Sequence, residues 1–175
     1  MTRERRGLVI VNTGDGKGKT TAALGVALRA RGHGYSVIGL QFIKSAARET
    51  GERAAARALG FDLIPLGDGF TWLSKDAERT VSLALEAWDI AKGHILSGAF
   101  DVVILDELTY ALQYGWVDTA EGIATLAARP AGVHVVITGR GAPEALIAAA
   151  DLVTEMRVVK HPYQAGIPAQ EGVDF

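Results

Sequence analysis

The sequence predicts an α/β fold, a single doubly wound and mostly parallel sheet with helices on both faces, and three observations carry that prediction. Apolar runs alternate with helical stretches along the chain, a pattern that implies right-handed crossovers between parallel strands. Several runs, notably Val102-Val103-Ile104-Leu105 and Val133 to Ile137, are nearly continuous in Val, Ile and Leu, which suits strands covered on both faces. The first run is followed at once by a glycine-rich turn that opens a helix. Ligands of such open sheets bind outside the carboxyl ends of the strands, and function is expected at that edge.

Taken in order, Gly7 to Asn12 reads as the first strand, Thr20 to Arg31 as a helix and Ser36 to Ile43 as the second strand. The segment Ala46 to Leu59 carries Arg48, Glu49, Glu52, Arg53 and Arg57 and reads as a helix with a solvated charged face. Glu49 and Arg53 stand in the favourable i,i+4 order there, worth a few tenths of a kcal/mol. Phe61 to Pro65 is the third strand. From Lys75 to Ser97, Ala77, Val81, Ala84, Leu85, Trp88, Ala91 and Ile95 recur at helical spacing and form a stripe for packing on the sheet. Asp101 to Leu105, His134 to Thr138 and Leu152 to Val159 complete the strands. Shorter helices are expected over Asp118 to Ala128, ended by Arg129-Pro130, and over Pro143 to Ala150, where proline suits a first turn.

A chain of 175 residues can bury one core and is too short for two ordinary domains. A short basic tail over residues 1–6 and a single domain over 7–175 are expected. With 49% hydrophobic and 22% charged residues and a formal net charge of -2, the composition is that of a globular protein and argues against nucleic acid as a bulk electrostatic partner. Cysteine is absent, which excludes disulfides, iron–sulfur clusters and thiolate zinc sites. His33, His94, His134 and His161 are scattered rather than set at ligand spacing. Met1 to Arg6 leads directly into a strand rather than a signal-peptide core, and no run approaches the roughly eighteen apolar residues of a membrane span. The chain reads as cytoplasmic, without a membrane partner.

Chemistry concentrates in Thr13-Gly14-Asp15-Gly16-Lys17-Gly18-Lys19-Thr20-Thr21. Gly14, Gly16 and Gly18 let backbone N–H groups point inward, and the following helix N-terminus adds positive potential, so the turn reads as a phosphate cradle. Lys19 can reach phosphate oxygens and the Thr20 hydroxyl can ligate Mg²⁺. The strict pattern G-x-x-x-x-G-K-[ST] fails at its first position, where Thr13 stands, but strand, glycines and helix sit where a P-loop needs them. The fold expected is therefore P-loop NTPase-like, of the RecA-like kind. The fourth strand delivers Asp106 and Glu107 to the same rim, either as Mg²⁺ ligands in the manner of a Walker B element or as a cap for the next helix. Lys17 reads as a phosphate contact or a solvated loop charge. Gln41 and Lys44 read as nucleotide or substrate contacts or as a solvated strand end. Arg140 either reaches a phosphate or pairs with Glu144, and Tyr110, Tyr114 and Trp116 read as packing. These residues leave open a P-loop ATPase or kinase that transfers the γ-phosphoryl group, and a nucleotide-sensing module without turnover.

The wider sequence resembles the P-loop type ATP:corrinoid adenosyltransferases. The resemblance is carried by the loop Thr13 to Ala23, by Gln41-Phe-Ile-Lys44, Gly69-Phe-Thr-Trp72 and Val103 to Tyr110, and by Ala128-Arg-Pro130, Ile137 to Gly141, Val159-Lys-His161 and Ala165-Gly166, in order along nearly the whole chain. It makes Thr13 regular, since the loop of that family begins Thr-Gly. It implies transfer of the 5′-deoxyadenosyl group of MgATP to the Co(I) centre of a reduced corrinoid, cobalamin or cob(I)yrinic acid a,c-diamide. Inorganic triphosphate leaves, and the nucleotide lies reversed in the loop relative to kinases. It further implies Thr20 and Glu107 on Mg²⁺ with Asp106 in support, and Phe70 and Trp72 pressing on the lower corrin face to leave four-coordinate Co(II). An electron donor such as a reduced flavoprotein and a homodimer are implied in the same way. Members commonly carry a longer N-terminal extension predicted to cover the site; with only Met1 to Arg6 before the first strand, the cover is expected to be missing or supplied by a partner subunit.

Overall fold

A computed structural model describes residues 6–47, 49–69 and 77–174. Strands β1 (Val9–Thr13), β2 (Val37–Ser45), β3 (Asp62–Gly67), β4 (Val102–Asp106), β5 (His134–Thr138) and β6 (Leu152–Glu155) form one sheet. Its order is β3-β2-β4-β5-β1-β6, and every neighbouring pair is parallel. The helices are α1 (Lys19–Gly32), α2 (Gly51–Ala58), α3 (Ala77–Ser97), α4 (Leu108–Gln113), α5 (Thr119–Ala128) and α6 (Glu144–Ala149), followed by a 3₁₀ turn at Pro162–Ala165.

Strand alternation divides the core between two layers. Val103, Leu105, Val135 and Ile137 face a layer built from α3 to α6, including Trp88, Ile95, Leu108, Leu126 and Leu146. Val102, Ile104 and Val136 face the other, where Ala23, Ala27 and Ala30 of α1 and Ala56 of α2 lie. The alanines carry no bulk beyond Cβ, so α1 can approach the sheet closely and bring the preceding loop over the strand ends. Burial of both faces is what the continuous apolar runs predict.

All six predicted strands form, with differences at their ends. β6 stops at Glu155 rather than Val159, because the next carbonyl, of Met156, turns to accept a hydrogen bond from Gly16 N at 2.7 Å. α2 begins at Gly51 rather than Ala46. α4 is absent from the sequence reading: it is six residues long and starts directly after a strand, too short for helical periodicity to register. Among the described residues no helix is long and apolar enough to cross a membrane.

Candidate functional site

The phosphate loop leaves β1 at the carboxyl edge and enters α1 through Gly18, whose φ of 108° is left-handed and open to glycine at little cost. Gly16 is required for a different reason: a Cβ there would lie 2.7 Å from the Met156 carbonyl oxygen. Thr13, the departure from the strict pattern, is buried, and its Oγ1 accepts from Ala142 N at 3.2 Å, tying the start of the loop to the segment after β5. Lys19 is buried and donates Nζ hydrogen bonds to the Gly14 and Gly16 carbonyls, both at 2.7 Å. Desolvation lowers its pKa, against the raising influence of Glu107, Asp15 and Asp106. Lys17 is exposed and paired with Asp174, Asp15 is exposed on the loop, and Thr21 is exposed in the first turn of α1.

Asp106 is wholly buried and takes three hydrogen bonds, from Thr20 Oγ1 at 2.8 Å and Thr138 Oγ1 at 2.7 Å on Oδ1, and from Gln41 Nε2 at 3.1 Å on Oδ2. Register explains the last, since Gln41 and Asp106 are direct partners across β2 and β4. The Thr20 proton points at Asp106, which leaves the hydroxyl lone pairs free toward the loop side. Glu107 adopts a left-handed φ of 65°, rare for a side chain of its size, and its N–H is fixed by Thr138 Oγ1 at 3.0 Å. Its Oε2 is buried without a hydrogen-bond partner among the described residues. Burial, and then the charge of Asp106, push its pKa up to about 7 against the opposing pull of Lys19, Lys44 and Arg140.

A buried carboxylate oxygen that lacks a donor beside a threonine hydroxyl fits a hard cation. Among the described residues no group of three or more His, Asp or Glu side chains could hold a metal unaided; Mg²⁺ needs none, because it draws most of its ligands from phosphate and water.

Other predicted residues fall around this centre. Gln41 is completely buried, not a solvated strand end, and its Nε2 also donates to Glu52 Oε1 at 2.9 Å. The opposite amide orientation would set its oxygen against two carboxylates, so the assignment follows from chemistry. Lys44 pairs with Glu52 as well. The charged segment is thus not wholly a solvated face: Glu49, Arg53 and Arg57 interact with one another at the surface, while Glu52 turns inward. Nothing in a run of alternating charges distinguishes Glu52 from its neighbours, and only α2 packing beside β2 and β3 selects it. Arg140 is exposed and, among the described residues, forms no ion pair with Glu144; its charge acts on Glu107, Lys19 and Tyr110 instead.

Tyr110, Tyr114 and Trp116 pack on one another, with ring centroids 6.2 Å apart for the near-parallel tyrosines and 5.0 Å for Tyr114 and Trp116, and Tyr114 is also 53% exposed. Together with Asp15, Gln113, Arg140 and Gly141 the two tyrosines line a depression of 590 Å³. Phe70 and Trp72 lie outside the described residues.

The profile of the family described as ATP:corrinoid adenosyltransferase BtuR/CobO/CobP matches residues 5–175. The chain belongs to this family. A corrinoid adenosyltransferase of Pseudomonas aeruginosa is 45% identical over 177 residues, covering 100% of this chain and 87% of that protein. The corrinoid adenosyltransferase CobA of Salmonella typhimurium is 42% identical, over 100% of this chain and 89% of that protein. Among solved structures, the flagellar accessory protein FlaH of Methanocaldococcus jannaschii superposes with a TM-score of 0.57 at 13% identity, over 86% of this chain and 71% of that one. That likeness places this adenosyltransferase-family sheet in a wider fold without bearing on its chemistry.

Proposed function

We propose that this chain transfers the 5′-deoxyadenosyl group of ATP to the cobalt of a reduced corrinoid and releases inorganic triphosphate. The observation that carries the reading is the joining, in one family-matched chain, of a phosphate loop with Lys19 and Thr20 to a strand end that presents Glu107 with an unpaired buried oxygen. Co(I), a strong nucleophile, attacks C5′; the Co–C bond forms as the C5′–O bond breaks, and its electron pair leaves with the triphosphate. The protein need not activate the attacker. Its work is alignment and charge stabilisation. Lys19, on exchanging its bonds to the Gly14 and Gly16 carbonyls for phosphate oxygens, would face the growing negative charge together with the loop amides. The Gly16 amide is excepted: it is spent on the Met156 carbonyl rather than pointing inward as expected.

Thr20 and Glu107 would hold Mg²⁺, with Asp106 orienting the Thr20 hydroxyl. When bound, the ion supplies further neutralisation of the departing triphosphate. Gly14, Asp15, Gly16, Lys17, Gly18 and Thr21 would surround the polyphosphate, and Gln41 and Lys44 would shape the strand-end rim. Phe70 and Trp72 are assigned to the lower corrin face, where they would displace an axial ligand and ease reduction of Co(II). Changing them to His and Ala is expected to spare ATP binding while abolishing the optical signature of four-coordinate Co(II). A cytoplasmic homodimer fed by a reduced flavoprotein completes the reading.

The test is an anaerobic reaction with ATP, Mg²⁺ and chemically reduced cobalamin, with both products identified. Adenosylcobalamin and triphosphate in equal amounts support the assignment; ADP as the sole nucleotide product refutes it.

A further inference from the structure

We propose that Glu52, in the first turn of α2, is a positioning residue for the Mg²⁺ site: through Gln41 it fixes Asp106, and through Asp106 the hydroxyl of Thr20. The inference rests on the Mg²⁺ assignment in the proposed function and is independent of which bond of ATP is broken.

Four side chains from α2, β2, β4 and α1 form an unbroken path. Glu52 Oε1 accepts from Gln41 Nε2 at 2.9 Å, Asp106 Oδ2 accepts from the same nitrogen at 3.1 Å, and Asp106 Oδ1 accepts from Thr20 Oγ1 at 2.8 Å. An amide nitrogen carries two hydrogens, and here each goes to a different carboxylate. Gln41 Oε1 is buried without a hydrogen-bond partner among the described residues. Nothing on the oxygen side therefore anchors the amide, and the two carboxylates set its orientation. Without Glu52 the Gln41 amide keeps one of its two bonds and gains freedom to rotate, which releases Asp106 Oδ2. With Oδ2 held, the Asp106 carboxylate cannot swing, and Oδ1 stays on Thr20.

Stability alone leaves the placement of Glu52 unexplained. An acidic side chain in the first turn of a helix favours the helix dipole while facing water, and Lys44, the ion-pair partner of Glu52, is itself partly exposed. Neither interaction requires the Glu52 side chain to be only 15% exposed, against a Gln41 that is completely buried. Bringing a second carboxylate toward Asp106 costs desolvation and like-charge repulsion, which the bridging amide offsets. The arrangement supplies a fixed direction for the Thr20 lone pairs. Mg²⁺ demands near-ideal octahedral geometry, and groups behind its ligands commonly provide such orientation.

Calorimetric titration with inorganic triphosphate, in Mg²⁺ and again in EDTA, isolates the metal-dependent gain in affinity. Glu52→Ala is expected to cut that gain about tenfold, the usual scale for residues behind a metal ligand, with affinity in EDTA unchanged. Retained binding in EDTA certifies a folded loop. Glu52→Gln, which still accepts from Gln41, is expected to recover most of the gain, and Glu49→Ala, which removes a surface charge nearby, to leave it intact. Gln41→Ala should add little once Glu52 is gone. Equal loss in both buffers, an undiminished gain, no recovery in Glu52→Gln, a matching loss in Glu49→Ala or additive losses overturn the proposal. If Glu52→Ala fails to fold, Glu52→Asp, whose carboxylate is drawn back by one methylene, carries the same comparison. A parent protein that gains nothing from Mg²⁺ would overturn both this relay and the Mg²⁺ assignment, whereas formation of ADP would refute adenosyl transfer and leave the relay standing.

Discussion

Replacing Glu107 by Gln is expected to stabilise the free protein above neutral pH while removing its function. The carboxyl titrates at about 7 rather than 4.5 because burial, and then Asp106, penalise its charged form. At about 1.4 kcal/mol per unit, the shift costs roughly 3 kcal/mol once the group is ionised. The sign follows from proton binding: between pH 4.5 and about 7 the folded state holds a proton that the unfolded state has lost, so stability falls as pH rises through that window and levels off above it. The amide of Glu107→Gln imitates the protonated carboxyl and carries no such loss. Urea unfolding without metal or nucleotide should therefore give variant and parent similar stability near pH 4.5 and a gap approaching 3 kcal/mol at pH 8.5, about 6–12 °C in Tm for a chain of this size. Saturating MgATP should reverse the ranking, because only the parent gains from binding. For the parent, Mg²⁺ affinity should weaken about tenfold for each pH unit below 7, as protons compete for the same oxygen. A Glu107→Gln variant equally or less stable than the parent at pH 8.5 would show that Glu107 is not held at electrostatic cost.

Thr138→Val removes a donor from buried Asp106 and the acceptor for Glu107 N; a loss of about 1–3 kcal/mol is expected by denaturant titration, with weaker Mg²⁺ binding. Gly16→Ala sets a methyl 2.7 Å from the Met156 carbonyl, a backbone atom with little freedom to yield, so nucleotide titration should show binding lost together with a lower Tm. Glu52→Ala leaves a Gln41 N–H and Lys44 without their carboxylate and should cost about 1–2 kcal/mol, largely recovered in Glu52→Gln, which still accepts from Gln41. Combined with Gln41→Ala, the loss should be less than additive, and strict additivity in unfolding experiments would dissociate the pair.

Much of this site can be read locally. The loop Thr13 to Thr21 and the strand end Asp106-Glu107 each combine a backbone requirement with a chemical one, and such coincidences survive without knowledge of the fold. The central strands are legible because both faces are buried, which leaves runs like Val102 to Leu105 with no polar interruption. What escapes is whatever depends on distant segments meeting. Glu52 turns inward only because α2 lies beside the second strand. The strand expected over Leu152 to Val159 is shorter in the structure because its far end is bent by a hydrogen bond to a residue 140 positions earlier, Gly16. The helix α4 escapes as well, because its six residues carry too little periodicity to announce it.

The contact between Met156 and the loop also has a temporal meaning. The phosphate loop is made well before the backbone that braces Gly16, which follows β6 some 140 residues later. A nascent chain lacking that stretch has a loop with one side unsupported. Rigidity of the loop should therefore depend on Met156 being in place, and a chain broken off before Met156 would keep the loop without the carbonyl that holds Gly16.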